Sequence, residues 1–260
     1  MRALFEVIYE DAELLAINKP AGLVCHPTKG DAYSSLISRV RLHVGEGAPV
    51  HLVNRLDRET SGVVLVVKGD QRVGKLKQLF AEREVTKEYL AIVHGHVAAE
   101  SGTCAEPLGR DEQAEVSIKD RVRSDGAAAR TDFRVEQRFT RPVSGATEPS
   151  GNGAPFTLLR VQPHSGRKHQ IRIHLAHLGH PIVGDKLYGG DPQLYLDFVH
   201  RRLTVEQRNR LLLSCHALHA ESLRFNWLLR NWNFHAVPEP WFQDFLAGRP
   251  CTPDWAEKYL

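Results

Sequence analysis

The pattern of apolar and polar positions changes its period repeatedly along the chain, which indicates short strands interspersed with helices. Val63 to Val67 is an unbroken apolar run of strand length, whereas 73–80 carries apolar residues at helical spacing. The sequence predicts strands at 6–9, 14–17, 63–67, 85–93, 131–139, 156–162, 218–225 and 232–237. It predicts helices that begin near Ser34 and at Asp70, and further helices at 166–178 and 241–246.

Many strands with few regular strand–helix–strand units are typical of an α+β fold with a large mixed or antiparallel sheet. Residues 140–155 are rich in Gly, Pro, Ser and Thr and too long for a tight hairpin, so they predict an exposed insertion. In the helix at 166–178, Ile171, Leu175 and Leu178 form the predicted buried stripe. The sequence has no internal repeat, and we expect one domain over residues 1–260.

Composition narrows the class of protein only modestly. The 260 residues carry a formal net charge of +3. No stretch approaches the roughly 20 apolar residues of a membrane-spanning helix, and the N-terminus lacks the apolar core of a secretory signal. The four cysteines lie far apart and form no Cys-x-x-Cys pair. This spacing predicts reduced thiols in a cytoplasmic protein and no zinc knuckle.

Basic residues are concentrated in two places, although the net charge is small. If folding gathers them, they form a positive patch of the kind that contacts phosphates. The alternative is the solvated face of an amphipathic helix, which is the commoner origin of a basic run. The first set is Arg72, Lys75, Lys77, Arg83 and Lys87, and the second set is Arg160, Arg167, Lys168 and Arg172.

The segment from Asn54 to Gly62 holds the strongest candidate for chemistry. Asp57 stands between Arg55 and Arg58, and a Thr-Ser-Gly turn then leads into the apolar run from Val63. A polar loop attached to a buried strand is a frequent place for functional residues. The alternative for the aspartate and the arginines is a surface ion pair beside a turn.

This segment resembles the signature of the RluA-type RNA pseudouridine synthases, usually His-Arg-Leu-Asp-x-x-Thr-Ser-Gly. Asn54 stands where that family more often has His. Further motifs of the family occur in the same order, and the resemblance runs from about Phe5 to about His235. These motifs are Ile17 to Gly22, Lys87 to Gly95, Gly166 to Ala176, Gly179 to Asp185, and Leu218 to Ala220.

The resemblance implies a single catalytic domain built on a curved, mostly antiparallel sheet, flanked by helices and crossed by an RNA-binding cleft. It implies isomerisation of specific uridines in rRNA or tRNA stem-loops, with the target base flipped out of its stack. The reaction involves no redox step, so we expect no cofactor and no metal. We also expect a monomer without an N-terminal accessory RNA-binding domain, which leaves recognition to the catalytic domain.

The resemblance assigns catalytic roles to Asp57, Tyr89 and Arg172. Asp57 acts either as a nucleophile at C1′ of the ribose or as a base at the 2′ carbon, and the sequence leaves both open. Arg172 is expected to pair with Asp57 and keep it ionised, since burial alone raises the pKa of a carboxyl group. Tyr89 is expected to stack on the target base and to assist loss of the C5 proton. The alternative for Arg172 is a structural salt bridge, and the alternative for Tyr89 is simple packing.

Six further residues are expected to bind the substrate. The resemblance places Arg55 in the gap left by the flipped base, with a phosphate contact as the alternative. Leu218 is expected to close the pocket over the base, although it also suits the core of a strand. The remaining predicted binding residues are Asn54, Arg58, Arg167 and Lys168.

Two competing functions come from other classes of protein. The first is a catalytically inert RNA-binding protein that keeps the same scaffold. The second is a metal-dependent hydrolase, because histidines crowd into the helix at 166–178 and its flanks. No His-Glu-x-x-His motif or other complete ligand set accompanies these histidines, which argues against zinc. They are His164, His169, His174, His177 and His180.

Overall fold

The structure is a computed structural model that describes residues 5–27, 34–45, 47–143 and 153–251. Its strands are β1 (Glu6–Glu10), β2 (Leu14–Lys19), β3 (Val50–Leu52), β4 (Ser61–Lys68), β5 (Thr86–His94), β6 (Ser101–Cys104), β7 (Leu108–Arg110), β8 (Asp120–Val122), β9 (Thr131–Arg141), β10 (Ala154–Pro163), β11 (Leu218–Trp227) and β12 (Arg230–His235). Its helices are α1 (Leu36–Val44), α2 (Val73–Ala81), α3 (Gln170–His177), α4 (Gln193–Val199), α5 (Val205–Leu211) and α6 (Pro240–Leu246).

Contacts within the chain divide it into two compact units. Unit 1 consists of the described residues up to Tyr89 together with His219–Glu239. Unit 2 consists of the described residues of Leu90–Leu218 and those from Pro240 onward. The division falls inside β5 and β11, and each unit is described by itself below.

Unit 1 is organised around β4, which is buried along nearly its whole length. The strands follow the order β1-β2-β4-β11, with β3 also paired to β4 and β12 paired to β11. All of these pairs are antiparallel except β4 with β11, which is parallel. The sheet is therefore mixed and mostly antiparallel.

Apolar side chains cover both faces of β4, which explains its unbroken hydrophobic run. Val64 and Val66 belong to a cluster that includes the buried side of α1. Val63, Leu65 and Val67 belong to a second cluster that includes Leu76 of α2 and the β11–β12 hairpin. Because side chains alternate across a strand, a strand buried on both faces needs apolar residues at every position.

Unit 2 contains a long antiparallel hairpin of β9 and β10, with β6 on the far side of β9. β7 and β8 form a separate two-stranded sheet. Helix α3 packs Ile173 against Leu108 and Ala129 in a small apolar cluster, with Tyr188 at its border. This cluster fixes α3 beside the turn that carries Asp185 and Tyr188.

The predicted strands are confirmed, with shifts of a few residues at their ends. α2 begins at Val73 rather than at Asp70, because the Asp70 carboxylate binds His51 instead of capping the helix. α3 begins at Gln170 rather than at 166, because His169 takes a left-handed conformation with φ of 55°. Leu178 is 39% exposed, so its place in the predicted buried stripe is wrong.

The predicted insertion at 140–155 overlaps the ends of two strands. β9 extends to Arg141 and β10 begins at Ala154, so both strands are longer than the sequence predicts. Residues 144–152 of the insertion lie outside the described residues. Four short strands and two helices were not predicted from the sequence: β3, β6, β7, β8, α4 and α5.

Candidate active site

In unit 1, the Asn54 side chain holds the signature loop against β4 by two hydrogen bonds. Its Nδ2 donates a hydrogen bond to the Val63 carbonyl at 3.1 Å, and its Oδ1 accepts one from the Leu65 amide at 2.8 Å. Both ends of the side-chain amide are therefore engaged by the backbone of the central strand. These contacts support a structural role for the residue that replaces the usual histidine, and substrate contact by Asn54 stays a prediction.

The backbone on each side of Asp57 is held by a buried side chain. The Cys25 Sγ lies 3.4 Å from both the amide nitrogen and the carbonyl oxygen of Leu56. The Lys19 ammonium, which is fully buried, donates hydrogen bonds to the carbonyls of Arg58, Leu23 and Pro20. Asp57 is thus presented from a constrained loop, as a preorganised reactive group requires.

Asp57 and Tyr89 lie close together within unit 1. Burial raises the pKa of the Tyr89 hydroxyl, and the negative charge of Asp57 raises this pKa further. Tyr89 is half-buried and packs against the same apolar cluster as Leu56 and Ala220. At neutral pH the phenol is therefore uncharged, and it joins a hydroxyl group to an aromatic surface on which a base can stack.

The Thr-Ser-Gly part of the signature is explained by the neighbouring strand β11. Gly62 has φ of +113°, and a Cβ added there would lie 2.2 Å from the Ala220 carbonyl oxygen. The Ser61 Oγ lies 2.8 Å from Nδ1 of buried His219, whose Nε2 lies 3.0 Å from the Ala236 carbonyl. A carbonyl can only accept, so Nε2 donates to it, Nδ1 accepts, and Ser61 donates to Nδ1. These contacts join the signature to the Leu-His-Ala motif.

We expect His219 to make the protein less stable in mild acid. Burial lowers the pKa of His219 from 6.5 to about 4, so between these values the unfolded chain binds a proton that the folded chain does not. The free energy of unfolding therefore decreases as the pH falls through that range, by about 3 kcal/mol in all. Urea unfolding from pH 7 to pH 4 measures the loss. His219→Gln should flatten the pH dependence, whereas replacing exposed His200 with Gln should not; an equal pH dependence in all three proteins would contradict the account.

Arg172 in unit 2 makes a buried two-pronged ion pair with Asp185. The Arg172 Nε donates to Asp185 Oδ2 at 2.7 Å, and Nη2 donates to Oδ1 at 2.9 Å. The Asp185 Oδ1 also accepts hydrogen bonds from the amides of Leu187 at 2.9 Å and Tyr188 at 3.0 Å. Burial alone would raise the pKa of Asp185, but the charge and hydrogen bonds of Arg172 hold it well below its usual range.

Tyr188 provides a second support for Arg172. The Arg172 guanidinium lies over the Tyr188 ring at 5.1 Å from its centre, a distance at which a cation is attracted to an aromatic face. The Tyr188 hydroxyl oxygen lies 2.9 Å from Nδ1 of His169 and accepts a hydrogen bond from the Asp120 amide at 3.2 Å. Arg172 is therefore oriented by its own unit, while its pairing with Asp57 stays a prediction.

The other predicted binding residues lie in two loops, except Leu218, which belongs to β11. Arg55 is exposed, and Arg58 donates through Nε to the Gly22 carbonyl at 3.1 Å. In unit 2, Lys168 pairs with Asp120 at 2.8 Å, and Arg167 donates weakly to the Ala128 carbonyl at 3.4 Å. Leu218 is buried at the start of β11, so its two predicted roles both stay open.

Sequence reasoning did not single out Asp185 and Tyr188, which contact Arg172, or His219, which contacts Ser61. The first lies at the end of the quoted Gly179-to-Asp185 motif, and the last lies inside the Leu-His-Ala motif. For each of these three residues, the sequence does not show which group its side chain contacts. A buried charge or imidazole is tolerated only with partners, and these become visible only when the fold is known.

Four of the five histidines in and around the 166–178 segment, His164, His169, His174 and His180, are engaged by protein groups. His164 pairs with Asp132 at 2.6 Å, and His174 lies 2.8 Å from the Thr131 hydroxyl. His180 contacts the His94 carbonyl at 3.0 Å. Within the described part of the chain, no three His, Cys, Asp or Glu side chains are grouped so that they could hold a metal ion.

Comparison with known proteins identifies the family. A family model described as RNA pseudouridylate synthase matches residues 13–177, which is more than half of the chain. The chain belongs to this family. An uncharacterized RNA pseudouridine synthase of Bacillus subtilis, YlyB, is 34% identical over 199 residues, covering 74% of this chain and 60% of that protein. The ribosomal large subunit pseudouridine synthase D of Xanthomonas campestris is 37% identical over 222 residues, covering 84% and 61%.

These relatives confirm the resemblance drawn from the motifs. The match spans only about 60% of the length of these two curated pseudouridine synthases. A solved structure of human RNA pseudouridylate synthase domain containing 4 has a TM-score of 0.69 and 25% identity, over 94% of this chain and 92% of that chain. The predicted α+β fold class with a large, mostly antiparallel sheet is therefore confirmed. Among the described residues, no helix is both long and apolar enough to cross a membrane.

Proposed function

We propose that the protein is an RNA pseudouridine synthase that converts uridine to pseudouridine. The observation that carries the proposal is the Asp57 carboxylate beside the half-buried phenol of Tyr89 on the family's signature loop. In the reaction the N1–C1′ bond of uridine breaks, a C5–C1′ bond forms, and the C5 proton leaves while N1 gains one. The balance requires no oxidant or reductant.

The roles of the site residues follow from what each side chain can do. Asp57, as a carboxylate, attacks C1′ or removes a proton at the 2′ carbon; both steps suit its constrained position. Tyr89 offers a stacking face and a hydroxyl group beside that carboxylate. Arg172, fixed by Asp185, supplies a guanidinium, whose planar shape suits a carboxylate or a phosphate.

Ribosomal RNA is the class of substrate that we favour, because the relative from Xanthomonas campestris is named for the large ribosomal subunit. We propose that the protein acts in the cytoplasm as a monomer. An inert RNA-binding protein on the same scaffold is the competing function. A carboxylate beside a stacking surface repels phosphate and has no use in simple binding, so the Asp57–Tyr89 pair favours the enzyme.

The direct test of the proposal is release of tritium from rRNA transcripts labelled at C5 of uridine. Because the isomerisation exchanges the C5 proton for the glycosidic bond, an active enzyme releases label in proportion to the pseudouridine formed. Release by the wild-type protein above that of a heat-inactivated sample supports the enzyme. Tight RNA binding with no release from ribosomal or transfer RNA would instead establish the inert binder.

Tyr89→Phe is expected to lower turnover by about 10²-fold or more, the usual scale for a lost proton-transfer group. RNA affinity should change little, because the phenyl ring still stacks. Tyr89→Leu should lose turnover and also weaken binding, since stacking on an aromatic ring contributes about 1–3 kcal/mol per base. Tritium release and filter binding measure the two effects. Equal and mild losses in both variants would show that Tyr89 only packs.

A further inference from the structure

One side of helix α3 is held by a continuous chain of side-chain hydrogen bonds within unit 2. Gln170 and His174 lie one helical turn apart on α3, and Thr131 is the first residue of β9. The Thr131 Oγ1 lies 3.0 Å from Gln170 Nε2 and 2.8 Å from His174 Nδ1. All three side chains are buried. The Thr131 hydroxyl therefore joins the two residues of the helix to each other and to the strand.

The chain is anchored to neighbouring groups at both ends. Gln170 Nε2 also donates to the Arg130 carbonyl at 2.8 Å, and Gln170 Oε1 accepts from the Ser165 hydroxyl at 2.7 Å. At the other end, His174 Nε2 lies 2.9 Å from the Glu106 carbonyl oxygen. These contacts connect α3 to the loop that precedes it, to the residue before β9 and to the connection between β6 and β7.

The chemistry of the groups determines the direction of every hydrogen bond in this chain. A carbonyl can only accept, so His174 Nε2 donates to Glu106 and Nδ1 is the accepting nitrogen. Burial lowers the pKa of the His174 imidazole, which keeps it neutral at neutral pH. The Thr131 hydroxyl therefore donates to Nδ1 and accepts from Gln170 Nε2. A buried network that is satisfied in this way makes the surrounding core rigid.

Arg172 lies on the opposite side of the same helix. At 3.6 residues per turn, it is about 200° around the axis from both Gln170 and His174. The Asp185 carboxylate and the Tyr188 ring contact its guanidinium on that side. Helix α3 is thus held on two sides, and a rotation about its axis would break the hydrogen-bond chain while it moved the guanidinium.

We propose that Gln170, Thr131 and His174 are positioning residues, which set the rotation of α3 and thereby place the Arg172 guanidinium for catalysis. They act through Arg172, because their own side chains are buried and engaged with one another. The inference rests on the proposed function, since Arg172 has a catalytic role only in an enzyme. A displacement of a catalytic group by about 1 Å can lower the rate by about 10²-fold, so loss of the chain should reduce turnover.

Thr131→Val and Thr131→Ser test the hydrogen-bond chain directly. Valine keeps the shape of threonine but has no hydroxyl, so it interrupts the chain, whereas serine keeps the hydroxyl. We expect Thr131→Val to lower turnover by about 10²-fold with RNA affinity unchanged. Thr131→Ser should restore turnover to nearly the wild-type level. Tritium release from labelled rRNA measures turnover, and filter binding measures affinity.

Thr157→Val is the matched control for the loss of a buried hydroxyl. Thr157 of β10 is also buried; its hydroxyl donates to the Gly95 carbonyl at 2.8 Å and accepts from the Val97 amide at 3.0 Å. The control removes the same group from the same unit, at a place where the backbone rather than α3 engages it. Thermal unfolding should show that both valine variants lose stability, but Thr157→Val should keep wild-type turnover at a temperature at which it is folded.

The Nε–H group of Arg172 reports on the position of the guanidinium by NMR, independently of activity. Its signal is assigned by its absence from the spectrum of Arg172→Lys. Thr131→Val should shift or broaden this signal, whereas Thr131→Ser and Thr157→Val should leave it as in the wild type. Gln170→Met interrupts the chain at a second residue and should have the same two effects as Thr131→Val, so it provides the test if Thr131→Val does not fold.

The inference and the proposed function fail in different ways. Wild-type turnover by Thr131→Val, or an Arg172 signal that this variant leaves unchanged, would overturn the positioning role and keep the enzyme. Equal losses of turnover in Thr131→Val and Thr157→Val would also overturn it, because lost stability would then explain both. A shifted Arg172 signal in Thr131→Val, without tritium release by the wild-type protein, would keep the hold on Arg172 and remove the enzyme.

Discussion

Asp57→Asn is expected to abolish pseudouridine formation, by about 10⁴-fold or more, the scale seen when a reactive group of a catalytic set is removed. The asparagine amide is nearly isosteric with the carboxylate, but it can neither attack C1′ nor accept a proton from the 2′ carbon. RNA affinity should be kept or increase, because a negative charge that repels phosphate is removed. Tritium release measures the first effect and filter binding measures the second.

The matched control for this substitution is Asp70→Asn. Asp70 lies on the surface beside His51, so the control makes the same chemical change outside the candidate site and should leave turnover as in the wild type. Turnover by Asp57→Asn within a few-fold of that control would show that the carboxylate is not the reacting group. Loss of both RNA binding and turnover would point instead to a loop that has lost its conformation.

Arg172→Met is expected to reduce both stability and activity. Removing the guanidinium leaves Asp185 buried without its partner, a defect that costs about 3–5 kcal/mol. The pKa of Asp185 should rise, so the destabilisation should be greatest at neutral pH and diminish as acid protonates the carboxyl group. Chemical denaturation at pH 7 and pH 5 measures the stability, and tritium release measures the activity.

A double variant separates structure from chemistry at this pair. Arg172→Met/Asp185→Asn no longer contains an uncompensated buried charge, so it should recover part of the lost stability at neutral pH. We predict that it remains inactive, because the proposed cationic partner of Asp57 is missing. Recovery of activity together with stability would reduce Arg172 to a structural ion pair and would remove it from the catalytic set.

Elements with a strong local pattern could be predicted from the sequence. β2 and β4 contain the unbroken apolar runs Leu14–Ile17 and Val63–Val67 because both faces of the sheet are covered. Short strands such as β7 and β8 could not be predicted, because three residues carry no measurable period. The start of α3 was also beyond reach: Ser165 and Gln170 share a side-chain hydrogen bond of 2.7 Å that replaces the expected first turn.

At the candidate site too, residues within a local motif could be found from the sequence, whereas contacts between distant segments could not. Asp57 could be found because the residues around it form a recognisable motif. Gly62 was predicted to lie in a turn, but it belongs to β4 and is required by the close approach of Ala220. The Ser61–His219 hydrogen bond joins residues 158 positions apart, and no pattern within either segment specifies the other. Asp185 was within a quoted motif, yet its bond to Arg172 depends on how the turn after α3 folds back.

We propose that this chain forms pseudouridine in cellular RNA through Asp57. The most direct measurement is a map of pseudouridines in ribosomal and transfer RNA from cells that lack the gene, compared with cells that regain the wild-type or the Asp57→Asn form. We predict that at least one pseudouridine disappears, returns with the wild-type protein and stays absent with the Asn variant. A map that does not change on deletion, or that the Asn variant restores in full, would contradict the account.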